Sequence, residues 1–70
     1  MNFDEVMVLT KEVNAEPGWH TRTRQDQDKA AGTWMVWAWR GDNPSGGFLF
    51  RSLAEWREWQ RLRAEQQAQP

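Results

Sequence analysis

Apolar and polar positions alternate through the middle of the chain in the way that predicts β-strands. Side chains of a strand point alternately to its two faces, so residues 19–24 should place one histidine and two arginines on one face and tryptophan and threonine on the other. Residues 33–40 are apolar on both faces, and residues 48–51 form a further short strand. A chain of 70 residues covers only one face of such a sheet well. The pattern therefore predicts a partner for the second face.

Two interpretations of residues 5–13 are open. The segment is rich in valine, whose branched side chain favours extended backbone, and this favours a first strand. The rival interpretation is a helix, because apolar side chains recur at helical spacing, at Phe3, Val6, Leu9 and Val13. Of the two, the strand is favoured.

A C-terminal helix is predicted from about residue 53 to residue 66. Ser52 and Glu55 have the spacing of a capping box, in which each side chain binds a free backbone amide at the start of the helix. Its apolar side consists of Leu53, Trp56, Trp59 and Leu62. The polar residues 67–70 are expected to fray.

Turn signals separate these elements. Pro17 and Gly18 suit a type II turn, because proline presets its own φ and glycine accepts the positive φ that follows. Residues 25–32 form a polar connection, and residues 41–47, which hold three glycines and a proline, form a hairpin loop.

These elements predict a single α+β domain over residues 1–70. A three- to four-stranded antiparallel sheet, at about residues 5–51, is packed by one C-terminal helix. The alternation does not decide which face of the sheet the helix covers. The predicted core between sheet and helix consists of Trp34, Val36, Leu53, Trp56 and Trp59.

The amino-acid composition argues against most kinds of catalytic and metal-binding site. The chain has no cysteine and no tyrosine, and His20 is its one histidine, so neither a zinc site of the usual kind nor a nucleophile–base pair is expected. We predict no catalytic residue, no metal and no cofactor. The acidic N-terminus lacks the features of a signal peptide, and no apolar run spans a bilayer. A cytoplasmic protein without a membrane segment is expected.

Two functional hypotheses remain. The first is a protein-binding surface for a host protein or complex, with a homodimer as its simplest form, because interface centres are enriched in tryptophan and arginine. The alternative is a sheet that stacks single-stranded DNA or RNA on its tryptophans, which the net charge of −1 favours less. In either case the predicted contact residues are Trp19, Arg22, Arg24, Trp37, Trp39 and Arg40.

In size and architecture the chain resembles small phage-encoded proteins that block host machinery, including anti-CRISPR proteins. The resemblance is carried by a lone tryptophan-rich domain of 70 residues, an aromatic sheet with one helix and the lack of a catalytic constellation. It implies steric inhibition of a host complex without a cofactor, and it assigns no role to individual residues.

Overall fold

The chain folds into an antiparallel sheet, which is preceded in sequence by one helix and followed by another. A computed structural model of the chain describes residues 1–27 and 32–68. In chain order its elements are helix α1 (Phe3–Asn14), strand β1 (Trp19–Gln25), strand β2 (Trp34–Arg40), a 3-10 turn (Pro44–Gly46), strand β3 (Phe48–Phe50) and helix α2 (Leu53–Ala68). The three strands are arranged in the order β1-β2-β3. The predicted α+β class, with an antiparallel sheet and a C-terminal helix, is confirmed.

The strand predicted over residues 5–13 is wrong, because this segment forms α1. Asn2 and Glu5 make a capping box: the Asn2 side chain accepts from the Glu5 amide (2.8 Å), and the Glu5 carboxylate accepts from the Asn2 amide (3.1 Å). The side chains at helical spacing are buried, at Val6, Leu9 and Val13. This cap and this packing outweigh the modest rotamer cost of β-branched residues in a helix.

The register of the strands gives the sheet two faces of different composition. Trp19 of β1 lies opposite Arg40 of β2, and Val36 of β2 lies opposite Phe50 of β3. Alternation then assigns every strand residue to one face. The face that we call the covered face carries Trp19, Thr21, Thr23, Gln25, Trp34, Val36, Ala38, Arg40, Phe48 and Phe50. The opposite face, which we call the open face, carries His20, Arg22, Arg24, Met35, Trp37, Trp39 and Leu49.

Both helices pack against the covered face. The buried core cluster draws on both helices and the sheet: Met1, Val6, Leu9, Val13, Val36, Ala38, Phe50 and Trp56. Trp19, Trp34, Leu53 and Trp59 are partly buried against this cluster. All five residues predicted for the sheet–helix core therefore lie in the core or against it. The cluster has no member from the open face, so the helices leave that face unpacked.

Polar contacts join the two helices above the covered face. The Glu12 carboxylate accepts a hydrogen bond from the Trp56 indole N–H (3.0 Å) and also pairs with Arg57. Arg63 pairs with Glu16 at 2.7 Å. The hydrogen bond from Arg57, with that from Trp56, lowers the pKa of Glu12 below its ordinary value. The contacts of Glu12 with Trp56 and Arg57, which we call the clasp, thus favour the ionised form of the Glu12 carboxylate.

The ends of the elements match the sequence in part. The Ser52 hydroxyl accepts from the Glu55 amide (3.1 Å) as predicted, whereas the Glu55 carboxylate reaches back to the Arg51 amide (2.8 Å) instead of to Ser52. Gly18 has φ +82°, and the Trp19 amide donates to the Glu16 carbonyl (3.3 Å), as the predicted turn requires. Within the described residues, no helix is both long and apolar enough to cross a membrane.

Two predicted segments, the C-terminal tail and the polar connection, lie partly outside the described ranges. The helix α2 extends past residue 66 and includes Gln67 and Ala68, which were expected to fray. Residues 69–70 of that tail lie outside the described residues, as do residues 28–31 of the polar connection.

Candidate functional site

A groove on the open face is the candidate site. It has a volume of about 360 Å³ and is lined by Arg22, Arg24, Met35, Trp37, Trp39, Pro44 and Leu49. All three strands contribute, and the loop between β2 and β3 contributes through Pro44. Four of the seven lining residues belong to the six predicted contact residues.

The strand register sorts the groove into a cationic side and an apolar side. Arg22 of β1 lies opposite Trp37 of β2, and Trp37 lies opposite Leu49 of β3. Arg24 lies opposite Met35. The same order, from cation to apolar side chain, therefore repeats along the sheet. None of the seven lining side chains is acidic, so the groove is an apolar surface with a positive margin.

His20 lies next to Arg22 on the open-face side of β1. It lies opposite Trp39, and the two rings are 5.6 Å apart at 34°. No hydrogen bond joins His20 to Ser45 or Ser52, because Ser45 donates to Asn43 (2.6 Å) and Ser52 caps α2. Among the described residues, no group of three or more His, Asp or Glu side chains is placed to hold a metal ion.

The indole of Trp37 is held in place by the loop between β2 and β3. Its N–H donates to the Pro44 carbonyl at 2.6 Å. The loop approaches β2 closely at Gly47, where an added Cβ would lie 2.4 Å from the Ala38 carbonyl oxygen and 3.0 Å from the Trp37 ring. Only glycine fits there without displacing the backbone. One wall of the groove is thus preorganised before any partner arrives.

Two predicted contact residues, Trp19 and Arg40, lie on the covered face. They are paired with each other across β1 and β2. Trp19 packs against Phe48 and Trp59, with ring centres 6.3 and 5.6 Å apart, and the guanidinium of Arg63 lies 5.9 Å from its ring. The predicted set therefore combines residues from both faces. Along their strands, Trp19 and Arg40 lie an odd number of positions from Arg22 and Trp37, so they have the opposite alternation phase and point to the opposite face.

Three groove residues were not predicted: Met35, Pro44 and Leu49. Met35 has the same alternation phase as Trp37 and Trp39, so the sequence did contain a signal for it. The phase of Leu49 relative to Trp37 depends on the register between β2 and β3, which the sequence does not give. Pro44 enters through the folded loop, and no sequence signal marks that contact.

No family model, curated protein or solved structure matches this chain.

Proposed function

We propose that this chain is a non-enzymatic protein-binding module that acts through its open face. The observation that carries the proposal is the groove of Trp37, Trp39, Met35 and Leu49 with Arg22 and Arg24 at its margin. Energetically dominant interface residues are enriched in tryptophan and arginine and lie at the centre of a contact. Here such residues line a face that neither helix covers.

The proposed mode of action is steric. A rigid apolar groove with a positive margin binds a partner surface that presents apolar side chains and carboxylates, and the body of the domain then blocks whatever that surface normally contacts. In line with the resemblance to anti-CRISPR proteins, we propose an accessory protein of a phage or mobile element that inhibits a host complex in the cytoplasm. Such an inhibitor needs no cofactor.

A matched pair of variants tests this proposal. The purified chain is used to capture partners from a bacterial host lysate, in parallel with Arg22→Gln on the open face and Arg61→Gln on α2. Arg61 is also exposed but pairs with Glu58 and Glu65 on its own helix. We expect one stoichiometric partner that Arg61→Gln retains and Arg22→Gln loses. Equal capture by both variants would contradict a role for the open face.

The inhibitor form of the proposal has its own readout. Expression of the chain in cells with active CRISPR immunity should raise the plating efficiency of a targeted phage, and expression of Trp39→Ala should not. If neither protein changes plating, the host complex is a different one, and the captured partner identifies it.

A homodimer through the open face is the simplest alternative within protein binding. Light scattering after size-exclusion chromatography at about 100 µM, well above a micromolar dissociation constant, distinguishes a homodimer from a monomer that binds a different protein. A monomer of 8.3 kDa would exclude the dimer and leave a different partner.

Single-stranded nucleic acid is the second candidate, because an arginine and a histidine lie directly opposite aromatic rings on the open face. The pairs are Arg22 with Trp37 and His20 with Trp39. Bases stack on such rings while cations hold the phosphates. Titration with an oligothymidine should then quench tryptophan fluorescence, with an affinity that falls steeply as salt rises. No quenching at low salt would eliminate this candidate.

A further inference from the structure

β1 is an edge strand whose outer backbone groups are available. In the sheet order β1-β2-β3 it has β2 on one side, and among residues 1–27 and 32–68 no strand lies on the other. The Asp26 amide donates to the Thr33 carbonyl, and the Gly18 carbonyl accepts from Gly41, both at 2.9 Å and both towards β2. Since these directions alternate along an antiparallel strand, Thr21, Thr23 and Gln25 direct their backbone N–H and C=O groups away from the sheet.

An exposed apolar flank of α1 lies on the same side of the molecule. Phe3 is 65% exposed and Met7 is 56% exposed. Their spacing places them in one helical stripe with Asn14, whose side chain donates to the Thr21 hydroxyl at 3.2 Å. The opposite flank of α1 faces α2 through Glu12. Phe3 and Met7 therefore lie on the flank of α1 that faces away from α2, and Asn14 brings the C-terminal end of this flank to β1.

The open-face side of the same edge carries two cations, Arg22 and Arg24. Both point to this side together with the His20 imidazole, at every second position of β1, and all three are exposed. Among the described residues, the ion pairs involve other cations: Arg51, Arg57, Arg61 and Arg63. A second copy of β1 laid along the edge would bring like charges together, and this disfavours self-pairing.

We propose that the edge of β1 binds an extended segment of a partner protein as a fourth strand, in which acidic residues alternate with apolar ones. Its carboxylates lie beside Arg22 and Arg24, and its apolar side chains lie under Phe3 and Met7. Alternate residues of a strand are about 6.8 Å apart, so a segment with an acid at every second position matches the spacing of the cations. This inference rests on the proposed protein-binding function and extends it from the open face to the adjoining edge.

The addition of a strand has a direct physical rationale. Main-chain hydrogen bonds provide the affinity in this mode of recognition, and the alternate side chains provide the specificity. The outward groups of Thr21, Thr23 and Gln25 supply the hydrogen bonds. The two sides of the edge differ in chemistry, cationic below and apolar above, so they select both the register and the composition of the incoming segment.

A synthetic peptide tests the inference without knowledge of the partner. The probe is a capped heptapeptide of alternating valine and glutamate. One control has the same composition with its glutamates contiguous, and a second replaces glutamate by lysine. At ten times its dissociation constant, the alternating acidic peptide should slow hydrogen exchange of the Thr21, Thr23 and Gln25 amides by about tenfold, because only the free fraction exchanges. Unchanged exchange of these three amides would overturn the inference.

Two variants probe the two components of the edge. Thr23→Pro removes one outward N–H at an exposed position of an edge strand, where proline is tolerated, and Phe3→Ser removes an apolar side chain that is already exposed. Each should weaken peptide binding at least about fivefold while leaving the tryptophan resonances of the covered face in place. If the alternating lysine peptide binds as well as the glutamate peptide, the charge selection is wrong and the inference fails.

The outcomes separate this inference from the proposed function. If a captured partner depends on Arg22 and Trp39 but leaves the three edge amides unprotected, the strand addition is wrong and the open-face function stands. If the amides are protected by oligothymidine and by no peptide, the occupant is nucleic acid and the inference is overturned. If they become protected as the concentration of the chain itself rises, the occupant is a second copy, which overturns it equally.

Discussion

The two faces of this sheet use the same residue type for different purposes. On the covered face, Trp34 packs against a buried cluster that includes Trp56 of α2. On the open face, Trp37 and Trp39 remain half-exposed beside arginines. In a domain of 70 residues without disulfides, the covered indoles supply much of the apolar area that a small core needs. The open indoles add little to that core and are available for contact.

The difference between the faces originates in the helices. Glu12 of α1 and Glu16 of the turn that follows it bind three residues of α2, namely the Trp56 indole, Arg57 and Arg63. Two helices joined in this way cover one face of a three-stranded sheet. Among residues 1–27 and 32–68 no further helix or strand covers the other face, which leaves its side chains available to a partner.

The largest effect is expected from Trp56→Ala on the covered side. Trp56 is 2% exposed, its ring is 5.3 Å from Phe50, and its N–H binds Glu12. Removing a buried tryptophan costs about 3–5 kcal/mol, which is comparable with the whole stability expected of a domain this small. Circular dichroism during urea titration should show a mostly unfolded chain. Trp56→Phe, which keeps a ring, should remain folded, and a loss below about 1 kcal/mol for Trp56→Ala would contradict the assigned core.

Gly47→Ala should have the next largest effect, because it forces the loop away from β2. The new Cβ meets the Ala38 carbonyl at 2.4 Å and the Trp37 ring at 3.0 Å. We expect a loss of about 1–3 kcal/mol in the free energy of unfolding, as for other overpacked sites, and a shifted Trp37 indole resonance. Gly46→Ala is the matched control, since its nearest neighbour is Asn43 at 3.6 Å. Equal stability of the two variants would contradict the close approach.

Trp39→Ala on the open face should change stability by no more than about 1 kcal/mol, because its ring is half-exposed on the face that the helices do not cover. The same substitution should weaken capture of the partner by at least about 2 kcal/mol, or about 30-fold, as a central interface tryptophan does. The two values are measured on one preparation, by urea titration and by binding. A large loss of stability with unchanged binding would reverse the assignment of the faces.

The smallest effect is expected for the pH dependence of stability that the Glu12 contacts on the covered side produce. The pKa of Glu12 is lowered by its hydrogen bonds from Arg57 and Trp56, so the folded state favours the ionised form. Its contribution to stability is present above the ordinary carboxylate range and is lost as pH falls through the lowered pKa. Glu12→Gln should remove this dependence at a cost of about 0.5 kcal/mol at neutral pH. Urea midpoints measured at pH 7 and at acid pH, for both proteins, check the sign. A larger loss of stability on acidification in Glu12→Gln would contradict it.

The sequence predicted the strands through alternation and the second helix through its cap. It predicted the core in part: Val36 and Trp56 are buried and Trp34 packs against them, whereas the buried side chains of α1 and Phe50 were not predicted. It failed at residues 5–13, where β-branched side chains were given more weight than the helical spacing of Val6, Leu9 and Val13. The spacing of Asn2 and Glu5, which form a capping box in the structure, was a further helix signal in the sequence that was not used.

The candidate site was predicted in part for a definite physical reason. Arg22, Arg24, Trp37 and Trp39 share an alternation phase once β1 and β2 are in register, and the structure brings them together. Trp19 and Arg40 have the other phase and lie on the covered face, where Trp19 packs against Trp59 of α2 and Arg40 remains exposed. Which phase faces the helices depends on long-range packing, and alternation within a single strand carries no information about it.

The most direct test of the two-face account is the set of indole N–H resonances of the chain with and without its captured partner. Each of the six tryptophans reports on its own location. The account predicts that Trp37 and Trp39 shift or broaden on binding, while Trp56 and Trp59 keep their positions. Shifts confined to Trp56 and Trp59, with Trp37 and Trp39 unchanged, would show that the partner binds on the helical side and would contradict the account.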